Sequence, residues 1–349
     1  MDLDLDRFCR ELPKIELHAH LNGSLSRSTM LQLQRYYADA GISDETNAFF
    51  DEFQIGAGDT RNLSDCFQVF NIAHALTSTP ETLKLATTLT LQEFQEDGCC
   101  YIELRSTPRD TSHMTKRQYI DTIVQAMQKS SQSLSIISLL IVSINRSNSI
   151  SEAEEIADLA IEYHKKFPNV VVGLELSGNP GCGKFENFVK IFSKTRTAGL
   201  KVTLHCGEIS NPEEILQMIQ FKPDRIGHGT CIHPKFGGTD DVWEALCKSG
   251  IPVEVCLTSN VNTKSAPDYS SHHFKYLYDA NIPVILCTDD KGVFATSLSQ
   301  EYRICLDTFL LDKVKIASLA LNAIKYIFAE DKRKLLSDKV QNFIDKNCV

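Results

Sequence analysis

The chain has 349 residues, of which 42% are hydrophobic and 23% are charged, so it has ample material for a folded core. Its formal net charge of −9 argues against general nucleic-acid or membrane-surface binders, which need Lys/Arg-rich faces. The twelve cysteines are scattered and show no paired CxxC spacing, so we interpret them as reduced thiols of the core. The acidic first residues and the absence of any run of 18 apolar residues predict a cytosolic protein without a membrane span.

Short apolar runs rich in β-branched residues predict eight strands. They cover residues 14–20, 100–106, 135–145, 170–178, 201–207, 225–229, 251–259 and 282–290. Helical spacing occurs over residues 81–97, 116–132, 151–166, 184–198, 211–220, 240–249 and 270–280, and in a tail from 297. Because strands and helices alternate and the strands are apolar throughout, we expect a parallel sheet covered by helices.

Eight such units favour a (β/α)8 TIM barrel, formed by residues 1–349 as a single domain. A doubly wound open sheet is the alternative, but the Gly-rich phosphate loop that would follow its first strand is missing. The first crossover, residues 21–100, is much longer than the others. We expect it to carry extra helices that cap the mouth of the barrel.

Polar residues follow the predicted strands at the ends where a TIM barrel forms its active site. In strand order they are His18 and His20, Arg105 to Arg109, Asn145, Gly178, His205 with Glu208, His228, Thr258 to Asn260, and Asp289 with Asp290. Each of these residues alone is weak evidence. Their convergence on one end of the predicted barrel indicates a site.

Residues His18 and His20 share one face of their strand, so both point into the barrel. Alone they could be hydrogen-bonded interior histidines. Together with His205 and Asp289 they predict a site for one zinc or a similar divalent ion, with room left for water. Strand alternation turns Cys206 away from this site, and we expect it to pack against helices.

Glu208 lies just beyond its strand and suits a general acid, although a solvated carboxylate at a helix N-terminus is the alternative. His228 is flanked by glycines and could instead be a structural histidine. Asp289 and Asp290 could equally form a turn. Of the other histidines, His74 is a possible ligand contact, and we expect the remainder at the surface: His113, His164, His233, His272 and His273.

The motifs HAHLNGS, LSG, HCGE, RIGHG and CTDDKG, taken in this order over residues 14–294, resemble the adenosine deaminase family of metal-dependent amidohydrolases. Three further segments, ELRSTPR (103–109), HFKY (273–276) and TDDKGVFATSLSQEY (288–302), are similar to the members of that family that act on N6-methyl-AMP. A binuclear relative commonly needs a carboxylated lysine after the fourth strand. This chain has ELSGN there, which favours one metal.

The resemblance implies one zinc ion per chain, bound by His18, His20, His205 and Asp289. It also implies that Glu208 donates a proton, that His228 lies beside the attacking water, and that Gly178 and Asp290 contact the purine. Zinc lowers the pKa of a bound water from about 16 toward 7, so hydroxide would be available to attack C6. The reaction expected is hydrolytic loss of the C6 amine, with Asp289 also part of the catalytic set.

Typical adenosine deaminases carry aspartate where this chain has Asn22, and that aspartate faces the 5′ end of the ribose. A carboxylate there would repel a 5′-phosphate by ~4 kcal/mol at 4 Å in a partly screened site, so Asn22 favours a monophosphate. Arg109 adds a bidentate phosphate donor, beside Ser106, Thr107 and Pro108, with Lys291 as a further charge. Asn145 departs from the aspartate of close relatives.

We therefore expect a small purine nucleotide as substrate, contacted also by His20, His74 and Asn145, and no nucleic-acid or membrane partner. The protein is expected to be a monomer that converts N6-methyl-AMP to IMP and methylamine. The alternatives are a deaminase of free adenosine and an inactive purine-nucleotide-binding protein.

Overall fold

Eight parallel strands form the centre of the protein in a computed structural model that describes residues 3–39, 54–56 and 69–348. The strands are β1 Lys14–His20, β2 Cys99–Ser106, β3 Ile137–Asn145, β4 Val171–Ser177, β5 Lys201–Cys206, β6 Arg225–His228, β7 Val253–Val255 and β8 Val284–Leu286. Each strand pairs with the next along the chain in parallel register. The order β1 to β8 follows the sequence without a switch point, as a barrel requires.

Helices surround the strands. Those of the described residues are α1 Leu3–Glu11, α2 Arg27–Asp39, α3 Phe70–Leu76, α4 Pro80–Glu96, α5 Lys116–Ser130, α6 Ile150–Lys166, α7 Val189–Thr197, α8 Pro212–Phe221, α9 Asp240–Ser249, α10 Leu257–Asn262, α11 Phe274–Asp279, α12 Leu298–Thr308, α13 Lys313–Ala323 and α14 Arg333–Asn347. Sequence signals set several of their starts. Capping boxes at Thr79 and Ser149 satisfy the first backbone N–H groups of α4 and α6.

The barrel closes where β1 meets the segment after β8. Ala19 forms a parallel bridge with Asp289. The N–H of His20 donates to the carbonyl of Asp289 at 2.9 Å, and the N–H of Asp289 donates to the carbonyl of His18 at 2.7 Å. The predicted (β/α)8 barrel is therefore confirmed, and its closure places two expected metal ligands side by side.

The last two strands are shorter than the sequence predicts. The run 251–259 was expected to be extended to its end, but Thr258 to Asn260 lie in helix α10. The backbone N–H of Thr258 donates to the buried carboxylate of Glu301 at 3.1 Å, which satisfies one of the free N–H groups at the start of this helix. Helix α11 also begins later than predicted, at Phe274 instead of 270, and α1 was not predicted.

The long first crossover carries helices α2, α3 and α4, as expected. Phe70 and His74 of α3 line the cavity at the barrel mouth, which agrees with a capping role. Residues 40–53 and 57–68 of this crossover lie outside the described residues.

Two histidines expected at the surface are buried. His272 and His273 have exposed fractions of 0% and 1%, so that prediction is wrong for both. Their rings stack on each other at 4.2 Å behind β6, where His273 bonds to the backbone of His228. His113 is exposed, whereas His164 and His233 are partly buried.

The cysteines of the described residues are free thiols, and most are buried, as predicted. Cys206 lies in the hydrophobic core with its side chain away from the cavity, in agreement with the alternation of β5. No helix in the described ranges combines the length and the apolar character that a membrane crossing needs.

Candidate active site

A cavity of about 570 Å³ opens at the carboxyl ends of the strands. Its wall includes the expected substrate contacts His20, Asn22, His74, Ser106, Thr107, Pro108, Arg109, Asn145, Gly178 and Asp290. It also includes His205, Glu208, His228 and Asp289. The structure thus brings together in one cavity residues that the chain separates by up to 270 positions.

Three imidazoles and one carboxylate converge at the floor of this cavity, and we call His18, His20, His205 and Asp289 the metal cluster. Nε2 of His18 and Nε2 of His20 lie 3.3 and 3.4 Å from Oδ1 of Asp289. Nε2 of His20 lies 3.3 Å from Nε2 of His205. Nε2 of His18 is buried and has no hydrogen-bond partner among the described residues. His18 and His205 belong to both groups of side chains whose ligand atoms all lie within 4.8 Å of one another, once with His228 and Asp289 and once with His20 and Glu175, so this end of the cavity can hold a metal ion.

Two buried carboxylates support the metal cluster from below. Oε2 of Glu254 accepts from Nδ1 of His18 at 2.9 Å, and Oε1 of Glu175 lies 3.2 Å from Nδ1 of His205. Arg105, fully buried, pairs with both carboxylates. Such outer contacts orient metal-binding imidazoles and leave their Nε2 atoms directed at the ion.

Sequence reasoning missed Glu175 and Glu254. Each is the single charged residue within an otherwise apolar strand, in VVVGLELSG and IPVEVCLTS. A charge buried in such a strand needs a partner, so a lone charged residue in an apolar strand could have predicted these supporting contacts. Ser259 lies within the range Thr258 to Asn260 expected at the seventh strand end, but its contact was not predicted: its hydroxyl donates to Oδ2 of Asp289 at 2.8 Å.

Glu208 and His228 face each other beside the metal cluster. Nε2 of His228 lies 3.8 Å from Oε1 of Glu208 and 4.0 Å from Oδ2 of Asp289. Burial raises the pKa of Glu208, which favours its protonated form, and burial lowers the pKa of His228 well below its usual value. On the other side of the ring, the amide Nδ2 of Asn260 lies 3.1 Å from Nδ1 of His228.

Unusual backbone geometry aims two of these side chains. His228 has φ of 64° and Asp289 has φ of 60°, in the left-handed region that non-glycine residues rarely adopt. Such residues cost of order 1–3 kcal/mol and are concentrated at functional sites. His228 is the last residue of β6, and Asp289 lies three positions beyond β8 at the bridge to Ala19, so both left-handed residues lie where the strands end and both line the cavity.

Asp290 occupies space that only a glycine at position 23 leaves free. A Cβ at Gly23 would lie 1.6 Å from Oδ1 of Asp290. This oxygen is buried without a hydrogen-bond partner in the described structure. Burial and the charge of Asp289 raise the pKa of Asp290 well above its usual value, which favours the protonated carboxyl group.

Gly178 lines the same cavity as Asp290 and has φ of 91°. A Cβ there would lie 2.5 Å from Oδ1 of Asn145, so glycine is required for both the backbone angle and the space. Oδ1 of Asn145 accepts from the backbone N–H of Ser147 at 2.9 Å. Asn145 therefore fixes its own loop, in addition to facing the cavity.

A second polar group, at the side of the cavity formed by β1, α3 and α5, consists of Asn22, Thr77, Ser106, Arg109 and Tyr119, and we call it the Arg109 cluster. Nη2 of Arg109 donates to Oγ1 of Thr77 at 2.7 Å, and Nη1 lies 3.4 Å from Oδ1 of Asn22. The hydroxyl of Tyr119 donates to Oδ1 of Asn22 at 3.1 Å and contacts Oγ of Ser106 at 2.9 Å.

The guanidinium of Arg109 lies 5.1 Å from the centre of the Tyr119 ring. In the described part of the chain, no carboxylate lies within ion-pair distance of Arg109. Its charge is therefore available to an anion in the cavity. His74, beside it, is neutral because burial and the charge of Arg109 lower its pKa to about 3.

The structure does not place Lys291 with the Arg109 cluster, contrary to expectation. Nζ of Lys291 pairs with Glu93 at 2.5 Å and lies over the ring of Phe94. It does not line the cavity. Another lysine, Lys116, reaches the cavity, but Asp110 and Glu155 each pair with it at 2.9 Å. Thr77 and Tyr119 were the members of the Arg109 cluster that the sequence did not indicate.

The chain was compared with known proteins and solved structures. The adenosine deaminase family model matches residues 13–343. The N6-methyl-AMP deaminase of Danio rerio is 40% identical over 97% of this chain and 97% of its own length. The N6-methyl-AMP deaminase of Homo sapiens is 41% identical over 93% of this chain and 91% of its own length.

Among solved structures, an Arabidopsis ADAL crystal structure in complex with IMP superposes with a TM-score of 0.87 at 36% identity. The match covers 98% of this chain and 99% of the Arabidopsis chain. The family match and the fold thus agree over nearly the full length of the chain. The chain belongs to the adenosine deaminase family, whose members are hydrolytic deaminases.

Proposed function

We propose that this protein is a zinc-dependent deaminase of purine nucleoside monophosphates, which converts N6-methyl-AMP to IMP and methylamine. The observation that carries the substrate class is Arg109, a cation at the cavity without a carboxylate partner in the described structure, beside the neutral Asn22. A 5′-phosphate matches this arrangement because guanidinium groups bind phosphate oxygens in pairs. The preference for an N6-methyl group is inferred from two relatives, both N6-methyl-AMP deaminases, that are about 40% identical to this chain.

Zinc is supported by the donor set and its spacing. Four ligands at about 2.0–2.1 Å from a tetrahedral ion lie about 3.3–3.4 Å apart. The distances from Asp289 to His18 and His20, and from His20 to His205, are 3.3–3.4 Å. When bound, zinc would lower the pKa of a water molecule so that hydroxide is available at neutral pH.

Two other donor sets are geometrically close. His228 groups with His18, His205 and Asp289, and Glu175 groups with His18, His20 and His205. The carboxylate of Glu175 already pairs with Arg105 and accepts from Ser143, and His228 is directed at Glu208 as well as at Asp289. We therefore assign the ion to His18, His20, His205 and Asp289.

The remaining residues of the cavity supply proton transfer and binding. Glu208, whose protonated form is favoured because burial raises its pKa, donates a proton to N1 of the purine and so lets the ring accept electrons at C6. His228 orients or deprotonates the attacking water. Asp290, whose protonated form is also favoured, donates to N7, while Gly178 lets the purine approach the backbone. The hydroxyl group added at C6 then loses its proton, which passes to N6, and the C6–N6 bond breaks to release methylamine and leave the 6-oxo group of IMP.

The substrate proposal is tested by incubating the purified protein with N6-methyl-AMP, AMP and adenosine and following the change in absorbance as the inosine compounds form. We expect turnover of N6-methyl-AMP and much slower turnover of adenosine. Turnover of adenosine without turnover of either monophosphate would contradict the phosphate assignment. Absence of all turnover in a protein that binds the monophosphates would instead identify a nucleotide-binding protein.

The metal proposal has a separate test. Metal analysis of the purified protein is expected to find one zinc per chain, and the His205→Ala variant is expected to lose it. Full zinc content in that variant would show that the ion is held elsewhere.

A further inference from the structure

The motif HFKY begins with a histidine that is neither in the cavity nor at the surface. Nε2 of His273 lies 2.8 Å from the carbonyl oxygen of His228. Since a carbonyl only accepts, Nε2 must carry the proton, and Nδ1 has no partner among the described residues. Burial lowers the pKa of His273 to about 4, so the ring is neutral near pH 7.

His273 is held in place from both sides. Its ring stacks on that of His272 at 4.2 Å, with an angle of 27° between the planes. The edge of Phe236 lies against it at 6.1 Å. Its own carbonyl accepts from the first turn of helix α11, at Tyr276 and Leu277. The donor that it presents to β6 is therefore fixed.

The acceptor, the carbonyl oxygen of His228, belongs to a residue with a strained backbone. His228 has a left-handed backbone, with φ of 64°, and Gly229 after it has φ of 68°. A strained residue keeps such a conformation only when its surroundings restrain it. A hydrogen bond to the carbonyl of His228 restrains the peptide that follows the strained residue. Rotation of this peptide would move the imidazole away from Glu208, 3.8 Å from its Nε2.

We propose that His273 is a positioning residue for the deamination reaction: its Nε2–H holds the carbonyl of His228, and thereby keeps the His228 imidazole beside Glu208 and Asp289. The role rests on the proposed deaminase function but not on the identity of the substrate. The proposal gives a role to the buried histidine of the HFKY motif. Neither metal binding, nor proton donation by Glu208, nor phosphate binding by Arg109 explains this histidine.

The test is a matched pair of variants. His273→Gln keeps an N–H donor near the position of Nε2, whereas His273→Met has a similar length and no donor. We expect His273→Met to lower kcat about tenfold, the worth of one hydrogen bond in a positioned group, with KM within about twofold. His273→Gln should recover kcat to within about threefold of the wild type.

Unchanged kcat in His273→Met would overturn the proposal, as would an equal loss in both variants, since packing alone would then account for the effect. His272→Asn is the control for ring stacking. It removes the stacked ring but keeps an acceptor for the N–H of Phe274, which His272 now binds at 3.0 Å. We expect a loss of kcat smaller than that of His273→Met, because the N–H donor remains while one of the contacts that fixes its ring is lost. A loss as large as that of His273→Met would contradict the role of the donor.

A measurement on the unmodified protein covers the case in which His273→Met does not fold. In an NMR spectrum of protein labelled with ¹⁵N-histidine, His273 should show a slowly exchanging proton on Nε2 and none on Nδ1. The signal is assigned to His273 by its absence from the spectrum of His273→Gln. The opposite tautomer would overturn the proposal. If the wild type deaminates adenosine but not N6-methyl-AMP, the substrate proposal fails, whereas the same kcat comparison with adenosine still tests His273.

Discussion

The two polar groups of the cavity are built in different ways. The metal cluster comes from residues at or just beyond the ends of β1, β5 and β8, and buried carboxylates fix its imidazoles from below. The Arg109 cluster comes from the ends of β1 and β2, from the end of the crossover helix α3 and from helix α5. Its members mainly form hydrogen bonds with one another. Under the proposed function, the strand ends carry the chemistry, while strand ends together with elements added around the barrel mouth select the substrate.

This difference predicts two kinds of variant. Changes beside the metal cluster should lower kcat, because they remove groups that act on the reacting atoms. Changes in the Arg109 cluster should raise KM for a monophosphate and leave the free nucleoside largely unaffected. A variant beside the metal cluster that mainly raises KM, or a variant in the Arg109 cluster that mainly lowers kcat, would contradict this division of roles.

The largest effect is expected for Glu208→Gln. The amide keeps the size of the side chain but cannot supply the proton, so kcat should fall by roughly 10²- to 10⁴-fold. Steady-state kinetics with N6-methyl-AMP measures this loss, and metal analysis of the same sample confirms that the zinc content is unchanged. If kcat stayed within about twofold of the wild type, another residue would have to be the acid.

The metal cluster was also easier to predict from the sequence than the Arg109 cluster. His18 and His20 are separated by two positions on a strand, and His205 and Asp289 follow other strand ends, so the barrel alone predicts that they meet. Its supporting residues were harder to find. Glu254 and Glu175 act on the histidines from within the barrel, and only their charge in an apolar strand marks them.

The Arg109 cluster was predicted only in part, for a physical reason. Asn22 and Arg109 follow strand ends, whereas Thr77 and Tyr119 belong to helical elements whose orientation depends on how the crossover packs. Helical spacing predicts that α5 exists but not which side chain reaches the cavity. The same reasoning explains the wrong expectation for His272 and His273, whose segment could not be oriented from spacing alone.

The next effect in size is expected for Asn22→Asp. A carboxylate about 4 Å from a phosphate in a partly screened site opposes binding by up to ~4 kcal/mol, and part of this is offset because Arg109 would pair with the new charge. We expect KM for N6-methyl-AMP to rise about a hundredfold, with a much smaller change for adenosine. Kinetics with both substrates measures the difference.

Asn22→Ser is the matched control, because it shortens the side chain without adding a charge. It loses the contacts of Asn22 with Thr77 and Tyr119 but should raise KM far less than Asn22→Asp. Equal effects of the two variants would mean that hydrogen bonding, and not charge, selects the monophosphate.

The smallest effect is expected for Tyr119→Phe, which tests whether the Arg109 cluster acts as one unit. The ring remains under the guanidinium of Arg109, but the bonds of the hydroxyl to Asn22 and Ser106 are lost. Because one neutral hydrogen bond contributes about 1 kcal/mol, KM for N6-methyl-AMP should rise about threefold to tenfold.

In Tyr119→Phe, kcat should stay unchanged, since the hydroxyl bonds to no residue of the metal cluster in the described structure. KM for adenosine should also stay near its wild-type value, because the free nucleoside has no phosphate for Arg109 to bind. A fall in kcat would show that the two polar groups are mechanically linked through the end of β1, because Asn22 follows His20, the last residue of that strand, by only two positions. The division between chemistry and substrate choice would then have to be abandoned.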